Sequence, residues 1–88
     1  MAWTIEVGHT ARRDLERLDR QVAKRIVRYL AETVAGAQHP RKLGKPLSGK
    51  LKHLWGYRVG DYRILCELHD DRLVVVAIAI GHRREIYR

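Results

Sequence analysis

The stretch LWGYRVGDYRI, residues 54–64, predicts a β-hairpin. A glycine followed by another residue is typical of a two-residue type II′ turn, so we expect Gly60 and Asp61 to form the turn. The two strands then span residues 54–59 and 62–68. Because side chains alternate across a sheet, the position of this turn determines which side chains share a face.

The predicted register gives the hairpin an apolar face and a charged face. The apolar face, which we expect to pack against helices, consists of Trp55, Tyr57, Val59, Tyr62, Ile64, Cys66 and Leu68. Arg58 and Arg63 are expected directly opposite each other on the other face, where like charges repel. An anion bound between them would relieve that repulsion, since guanidinium groups grip phosphate in a bidentate manner. Alternatively, both arginines are solvated, or one of them pairs with Glu67, and geometry alone leaves these interpretations open.

The residues before the hairpin predict two amphipathic helices joined by a very short connection. Thr10 is the expected N-cap of a first helix over residues 11–18, and Asp19 is the expected N-cap of a second. The second helix carries an apolar stripe at helical spacing with most of its basic residues outside the stripe. It is expected to end at Ala35-Gly36.

The remaining segments predict the fold class. Residues 3–7 alternate between apolar and polar side chains, which indicates a half-buried strand. Residues 38–52 form a basic loop that holds both prolines. Residues 72–80 are a nearly continuous aliphatic run, typical of a strand buried on both faces. The order β-α-α-β-β-β predicts a single α+β domain over residues 1–88, with the N-terminal strand and helical hairpin packed on an antiparallel-rich twisted sheet.

Composition narrows the class of protein. The 88 residues include 18 Lys and Arg against 10 Asp and Glu, and the net charge of +8 favours a polyanionic or acidic partner. The single cysteine, Cys66, excludes an internal disulfide and is expected to be a buried, inert thiol. No histidine pair has zinc-ligand spacing, so neither a metal nor a cofactor is expected. The chain lacks a long apolar run and a signal-peptide pattern, which predicts a cytoplasmic protein without a membrane partner.

The end of the chain, GHRREIYR at residues 81–88, places chemically useful side chains after the last strand. Strand ends on a rigid scaffold are common positions for functional sites. The alternative interpretation is a basic tail without a specific role.

Residues 54–64, the strand that follows them and the motif GHRREIY at 81–87 together resemble the RelE/ParE superfamily of type II toxins. The segments TARRDL at 10–15 and KPL at 45–47 are also similar to that superfamily. The resemblance covers essentially the whole chain, and the two C-terminal motifs carry most of its specificity. It implies a RelE-like fold and a toxin that a cognate antitoxin holds inactive, in a complex that binds its own operator.

The resemblance implies one of two toxic activities. The RelE branch cleaves mRNA in the ribosomal A site, whereas the ParE branch poisons DNA gyrase and is not a nuclease. RelE-like members carry two arginines and a C-terminal tyrosine that match Arg63, Arg83 and Tyr87 here, which favours a ribosome-dependent endoribonuclease. A non-catalytic basic RNA-binding module is a further alternative.

The implied reaction is attack of a ribose 2′-hydroxyl on the adjacent phosphate, without a metal. Cations that face the phosphate oxygens stabilise the charge that builds there, a role that falls to Arg63 and Arg83 with help from Arg58. Tyr87 is the expected general base, or else a stacking platform for a nucleotide, and His82 is the second acid–base candidate. The residues expected to bind ribosomal RNA or the mRNA backbone are Lys50, Lys52 and Arg84. Some relatives have lysines at the positions of Leu54 and Gly56, and which cation replaces them here is open.

Overall fold

A five-stranded mixed sheet carries the fold in the computed structural model, which describes residues 3–82. Its strands are β1 (Thr4–Val7), β2 (Lys45–Pro46), β3 (Trp55–Val59), β4 (Tyr62–His69) and β5 (Val74–His82). They lie in the order β1-β5-β4-β3-β2, with β1 parallel to β5 and the other pairs antiparallel. The predicted α+β class is confirmed. The two-residue strand β2 was not foreseen, because it is too short to show alternation.

The hairpin register predicted from the turn is confirmed. Gly60 has a φ of 58°, the left-handed backbone that the first position of a type II′ turn requires. Arg58 lies opposite Arg63, and Tyr57 lies opposite Ile64. The face that carries Tyr57 and Ile64 packs on the helices and is called the helix face. The face that carries the two arginines is called the open face.

The core lies between the helix face and two helices, α1 (His9–Glu16) and α2 (Arg20–Arg28). Its central side chains are almost completely buried and include Ile26, Leu30, Tyr57, Ile64 and Cys66. Burial raises the pKa of the Cys66 thiol to about 12, as expected for an inert cysteine.

Strand β5 is buried along the helix face, whereas burial on its other face is limited to Val74 at the start of the strand. The prediction of burial on both faces is therefore wrong for the rest of the strand. Val75, Ala77 and Ile80 are buried, whereas Val76 and Ile78 are half-exposed. The physical reason is that both helices pack on the same side of the sheet. A bulge opposite Leu65 and Cys66 leaves Ile78 without a partner, which keeps Ala77 and Ile80 on the helix face.

Helix α1 begins earlier than predicted, and Thr10 is not its N-cap. The cap is Gly8, which has extended backbone and no side-chain cap hydrogen bond. The Gly8 N–H donates to the Ala77 carbonyl at 2.8 Å, so the pairing of β1 with β5 continues until the chain turns into the helix. A Cβ at Gly8 would lie 3.0 Å from that carbonyl oxygen, so the helix begins where the two backbones meet closely.

The second helix begins as predicted and ends in an unexpected way. The Asp19 carboxylate accepts a hydrogen bond from the Gln21 N–H at 3.0 Å, which confirms Asp19 as the N-cap. After α2, the chain forms a π-helical turn over Tyr29–Val34. The turn closes through the Ala35 N–H and the Leu30 carbonyl, five residues apart, and the Ala35 carbonyl then accepts from the Trp3 N–H at 2.8 Å. The wide turn therefore connects the helical hairpin to the start of β1.

The end of β5 is held by helix α1 instead of by a strand. Strand β1 pairs with β5 only as far as Ala77, and three residues later the Ile80 N–H donates to Asp14 Oδ2 at 2.9 Å. The carboxylate thus takes the place of a strand carbonyl. It fixes the part of β5 that leads to Gly81 and the C-terminal motif.

The basic loop between the helices and β3 is anchored at three points. The Tyr57 hydroxyl donates to the Pro40 carbonyl at 2.8 Å in a buried hydrogen bond. The Arg41 guanidinium donates twice to the Asp70 carboxylate, both at 2.7 Å, and lies 5.6 Å from the centre of the Trp55 ring. A Cβ at Gly44 would lie 2.8 Å from the Tyr57 ring, so only glycine allows this close approach. The loop is therefore pressed against β3.

Replacing Asp14 with alanine should destabilise the protein, because the Ile80 N–H would lose its acceptor. A part-buried donor left without a partner costs about 1–3 kcal/mol. Asp14→Asn keeps a carbonyl oxygen at this position and should lose less. Urea unfolding of both variants measures the difference, and an alanine variant as stable as the parent would contradict the role of Asp14.

The Asp70 carboxylate should titrate below its ordinary pKa of 3.8, because the hydrogen bond from Arg41 stabilises its charged form. Since the folded-state pKa is lowered, the pair stabilises the fold above pH 3.8, and this contribution is lost as the pH falls through the lowered pKa. In Arg41→Gln, the pKa of Asp70 should return toward its ordinary value. Carboxyl carbon shifts followed by NMR measure both values, and identical titrations would disprove the pairing in solution.

Candidate active site

A cleft of about 330 Å³ lies on the open face of the hairpin. Residues 43–47 of the anchored loop form one wall, and Gly56, Arg58 and Arg63 form the rest of its lining. The cleft therefore exists because two separate elements meet: the hairpin presents the arginines, and the loop closes the side next to β3.

The electrostatics of the cleft favour an anion. No lining residue that the structure describes has an acidic side chain. Arg58 is exposed and donates through Nε to the Gly60 carbonyl at 3.2 Å, whereas Arg63 is half-buried. The buried Nε of Arg63 has no hydrogen-bond partner within residues 3–82. A buried donor without an acceptor is costly, so this part of the Arg63 side chain is locally unfavourable.

Glu67 does not neutralise either arginine in this structure. Its carboxylate oxygen lies 3.0 Å from His69 Nε2. The two remaining ion pairs of the described residues join Arg28 to Glu32 and Arg41 to Asp70. Within residues 3–82, the repulsion between Arg58 and Arg63 is therefore not relieved by a neighbouring carboxylate.

His82 lies on the opposite side of the sheet from the cleft. It pairs with Tyr62, and the two rings meet edge to face with their centres 5.8 Å apart. Both residues line a groove of about 360 Å³ beside Asp14 and Arg17 of the helical hairpin. The structure therefore does not bring His82 together with Arg58 and Arg63.

The other predicted site residues are distributed as follows. Lys50 and Lys52 are exposed in and after a short 3-10 turn at Gly49–Leu51, and neither lines the cleft. Arg83, Arg84 and Tyr87 lie outside the described residues. Lys45 lines the cleft but was not singled out by the sequence, although it begins the KPL segment noted above.

Two global properties of the described part of the chain bear on function. Within residues 3–82, no group of three or more His, Cys, Asp or Glu side chains is placed to hold a metal ion. No helix in that range is long and apolar enough to cross a membrane.

Comparison with known proteins places the chain among the toxins of type II toxin–antitoxin systems. The family model described as the ParE toxin of the parDE type II toxin–antitoxin system matches residues 5–87. The chain is 33% identical to Toxin RelG of Mycobacterium tuberculosis over 88 residues, covering 100% of this chain and 99% of that protein. It is 34% identical to Toxin RelE of the same organism over 84 residues, covering 96% and 84%.

Solved structures agree with the sequence matches. The toxin–antitoxin complex RelBE2 of M. tuberculosis contains a chain that superposes with a TM-score of 0.87 at 29% identity, covering 97% of this chain and 95% of that one. The isolated RelE toxin of E. coli shares the fold, with a TM-score of 0.71 at 19% identity and coverage of 98% and 92%. The chain thus belongs to the ParE toxin family of type II toxin–antitoxin systems, within the RelE/ParE superfamily.

Proposed function

We propose that this toxin is a ribosome-dependent endoribonuclease that cleaves mRNA in the A site and so arrests translation. The observation that carries the proposal is the pair Arg58 and Arg63, which face each other across the hairpin in a cleft. The described residues that line this cleft include no carboxylate. Phosphate is the anion that this arrangement suits, because two forked guanidiniums can contact several phosphate oxygens at once.

The proposed reaction is an internal transesterification. The 2′-hydroxyl attacks the adjacent phosphorus, the bond to the 5′-oxygen of the next nucleotide breaks, and the products are a 2′,3′-cyclic phosphate and a 5′-hydroxyl. Negative charge builds on the non-bridging oxygens in the transition state, so fixed cations are expected to supply the largest contribution. Arg63 is assigned this role because it is half-buried and lines the cleft, and Arg58 assists from the facing strand.

Proton transfer is assigned to the C-terminal motif. Arg83 is the third phosphate-binding cation of the proposal, and Tyr87 is the general base. Neighbouring cations favour the phenolate over the phenol and so lower the pKa of a tyrosine toward the working pH. The position of His82 beside Tyr62, away from the arginine cleft, favours Tyr87 over His82 in this role.

The proposed partners are an antitoxin, the ribosome and mRNA. The M. tuberculosis relative of known structure was solved with an antitoxin, and the net charge of +8 suits both an acidic protein and RNA. An antitoxin that covers the cleft would keep the toxin inactive, and the complex is expected to bind its operator. Action on translating ribosomes places the protein in the cytoplasm.

A second candidate activity is inhibition of DNA gyrase. The family model that matches this chain favours this activity, because the model describes the ParE toxin. The arginine-lined cleft argues for the nuclease instead, because a gyrase poison has no need of transition-state cations.

Purified toxin and programmed ribosomes separate the two activities. We expect mRNA to be cut only when ribosomes are present, with 5′ ends that map to the A site and carry a hydroxyl. A parallel assay should leave gyrase supercoiling unchanged. If mRNA stays intact and supercoiling is inhibited, the nuclease hypothesis is wrong and the gyrase hypothesis is favoured.

Arg63→Ala should lose cleavage far more than it loses ribosome binding. Removing one fixed donor from a transition state costs about 2–4 kcal/mol, so single-turnover cleavage should fall by roughly 30- to 1000-fold. Arg20→Ala, an exposed arginine of α2, is the matched control for charge and should cleave like the parent. Equal losses in both variants would mean that bulk charge alone accounts for the activity.

Tyr87→Phe should impair single-turnover cleavage nearly as much as Tyr87→Ala, while both variants still bind ribosomes. A base must lose the hydroxyl proton, so the ring alone is insufficient. A stacking platform would behave differently, because phenylalanine keeps the stacking energy of about 1–3 kcal/mol per base. Normal cleavage by the phenylalanine variant would therefore exclude the base role.

A further inference from the structure

The cleft contains a third cation, which comes from the shortest strand of the sheet. Lys45 of β2 pairs with Gly56 of β3. Directly paired residues of antiparallel strands share a face, and Gly56 is two residues from Arg58 on β3. Lys45 therefore lies on the open face with Arg58 and Arg63, and all three residues line the cleft.

The residue opposite Lys45 leaves the cleft open. Gly56 contributes only backbone to the lining, so β3 places no side chain between the lysine and the two arginines. Lys45 itself is exposed, and no ion pair of the described residues includes it. Its ammonium is thus available to an anion in the cleft.

The backbone of Lys45 is held in place although its side chain is exposed. The residue before it, Gly44, is packed against Tyr57 so closely that a Cβ would lie 2.8 Å from the ring. The hydrogen bond from Tyr57 to Pro40 and the paired hydrogen bonds from Arg41 to Asp70 fix the start of the same loop. Binding through Lys45 therefore requires ordering of one side chain but not of the loop.

We propose that Lys45 is a phosphate-binding residue of this cleft, contacting the RNA phosphate next to the one held by Arg58 and Arg63. This inference rests on the proposed function for its substrate class, single-stranded RNA. A lysine suits the neighbouring phosphate, because a flexible point charge needs no bidentate geometry.

The test measures binding separately from cleavage. A fluorescently labelled RNA hexanucleotide with 2′-O-methyl groups, which lacks the attacking hydroxyl, is titrated with protein at several salt concentrations. Each phosphate contact with single-stranded RNA contributes about 0.7 to the slope of log K against log salt. Lys45→Ala should therefore reduce the magnitude of the slope by about 0.7, and Lys45→Arg should keep it.

Lys42→Ala is the matched control. Lys42 belongs to the same loop, has the same charge and is exposed, but it does not line the cleft. It should keep the parental slope. Equal slopes for Lys45→Ala and the parent, or equal reductions in the two alanine variants, would overturn the assignment.

Failure of the proposed function has a different signature. One outcome is that the parent protein fails to cleave mRNA on ribosomes while Lys45→Ala, and not Lys42→Ala, reduces the salt dependence of RNA binding. In that case the phosphate-binding role of Lys45 is supported and the nuclease activity is disproved. If the parent cleaves and Lys45→Ala keeps both its slope and its cleavage rate, the nuclease stands and the role of Lys45 is disproved.

Discussion

The register of the β3–β4 hairpin is the constraint on which both the core and the cleft depend. The turn at Gly60 and Asp61 places Tyr57 and Ile64 together on the helix face, and it places Arg58 and Arg63 together on the open face. A shift by one residue would bury the arginines under the helices and expose the core. The apolar burial that stabilises the domain therefore also holds two like charges opposite each other.

The two facing arginines are locally unfavourable, and burial elsewhere in the domain compensates for them. Facing arginines repel, and a buried donor of Arg63 is left without a partner in the described structure. On the other side of the same strands, Tyr57, Ile64 and Cys66 are almost completely buried, which offsets the cost. Such repulsion at one point of a well-packed sheet is consistent with the proposed anion-binding site, since a bound anion would supply the missing negative charge.

Two tertiary contacts position the elements around the hairpin. The Asp14 carboxylate binds the Ile80 N–H and fixes the end of β5, from which the chain continues to the C-terminal motif. The contacts of Tyr57 and Asp70 with the basic loop fix the opposite wall of the cleft. Each contact joins residues far apart in sequence, so the geometry of the cleft depends on the whole domain rather than on one motif.

The sequence by itself determined the features that depend on neighbouring residues. Alternation and the Gly60–Asp61 turn sufficed for the hairpin register, and Asp19 was recognisable as a cap because capping is a local interaction. Thr10 has the chemistry of a cap as well, but the pairing of Gly8 with Ala77 starts the helix before it. The aliphatic run of β5 did not reveal that both helices cover the same face. Only the tertiary structure placed Lys45 beside Gly56 and His82 beside Tyr62 on the face away from the arginines, because pairing between strands distant in sequence decides which side chains meet.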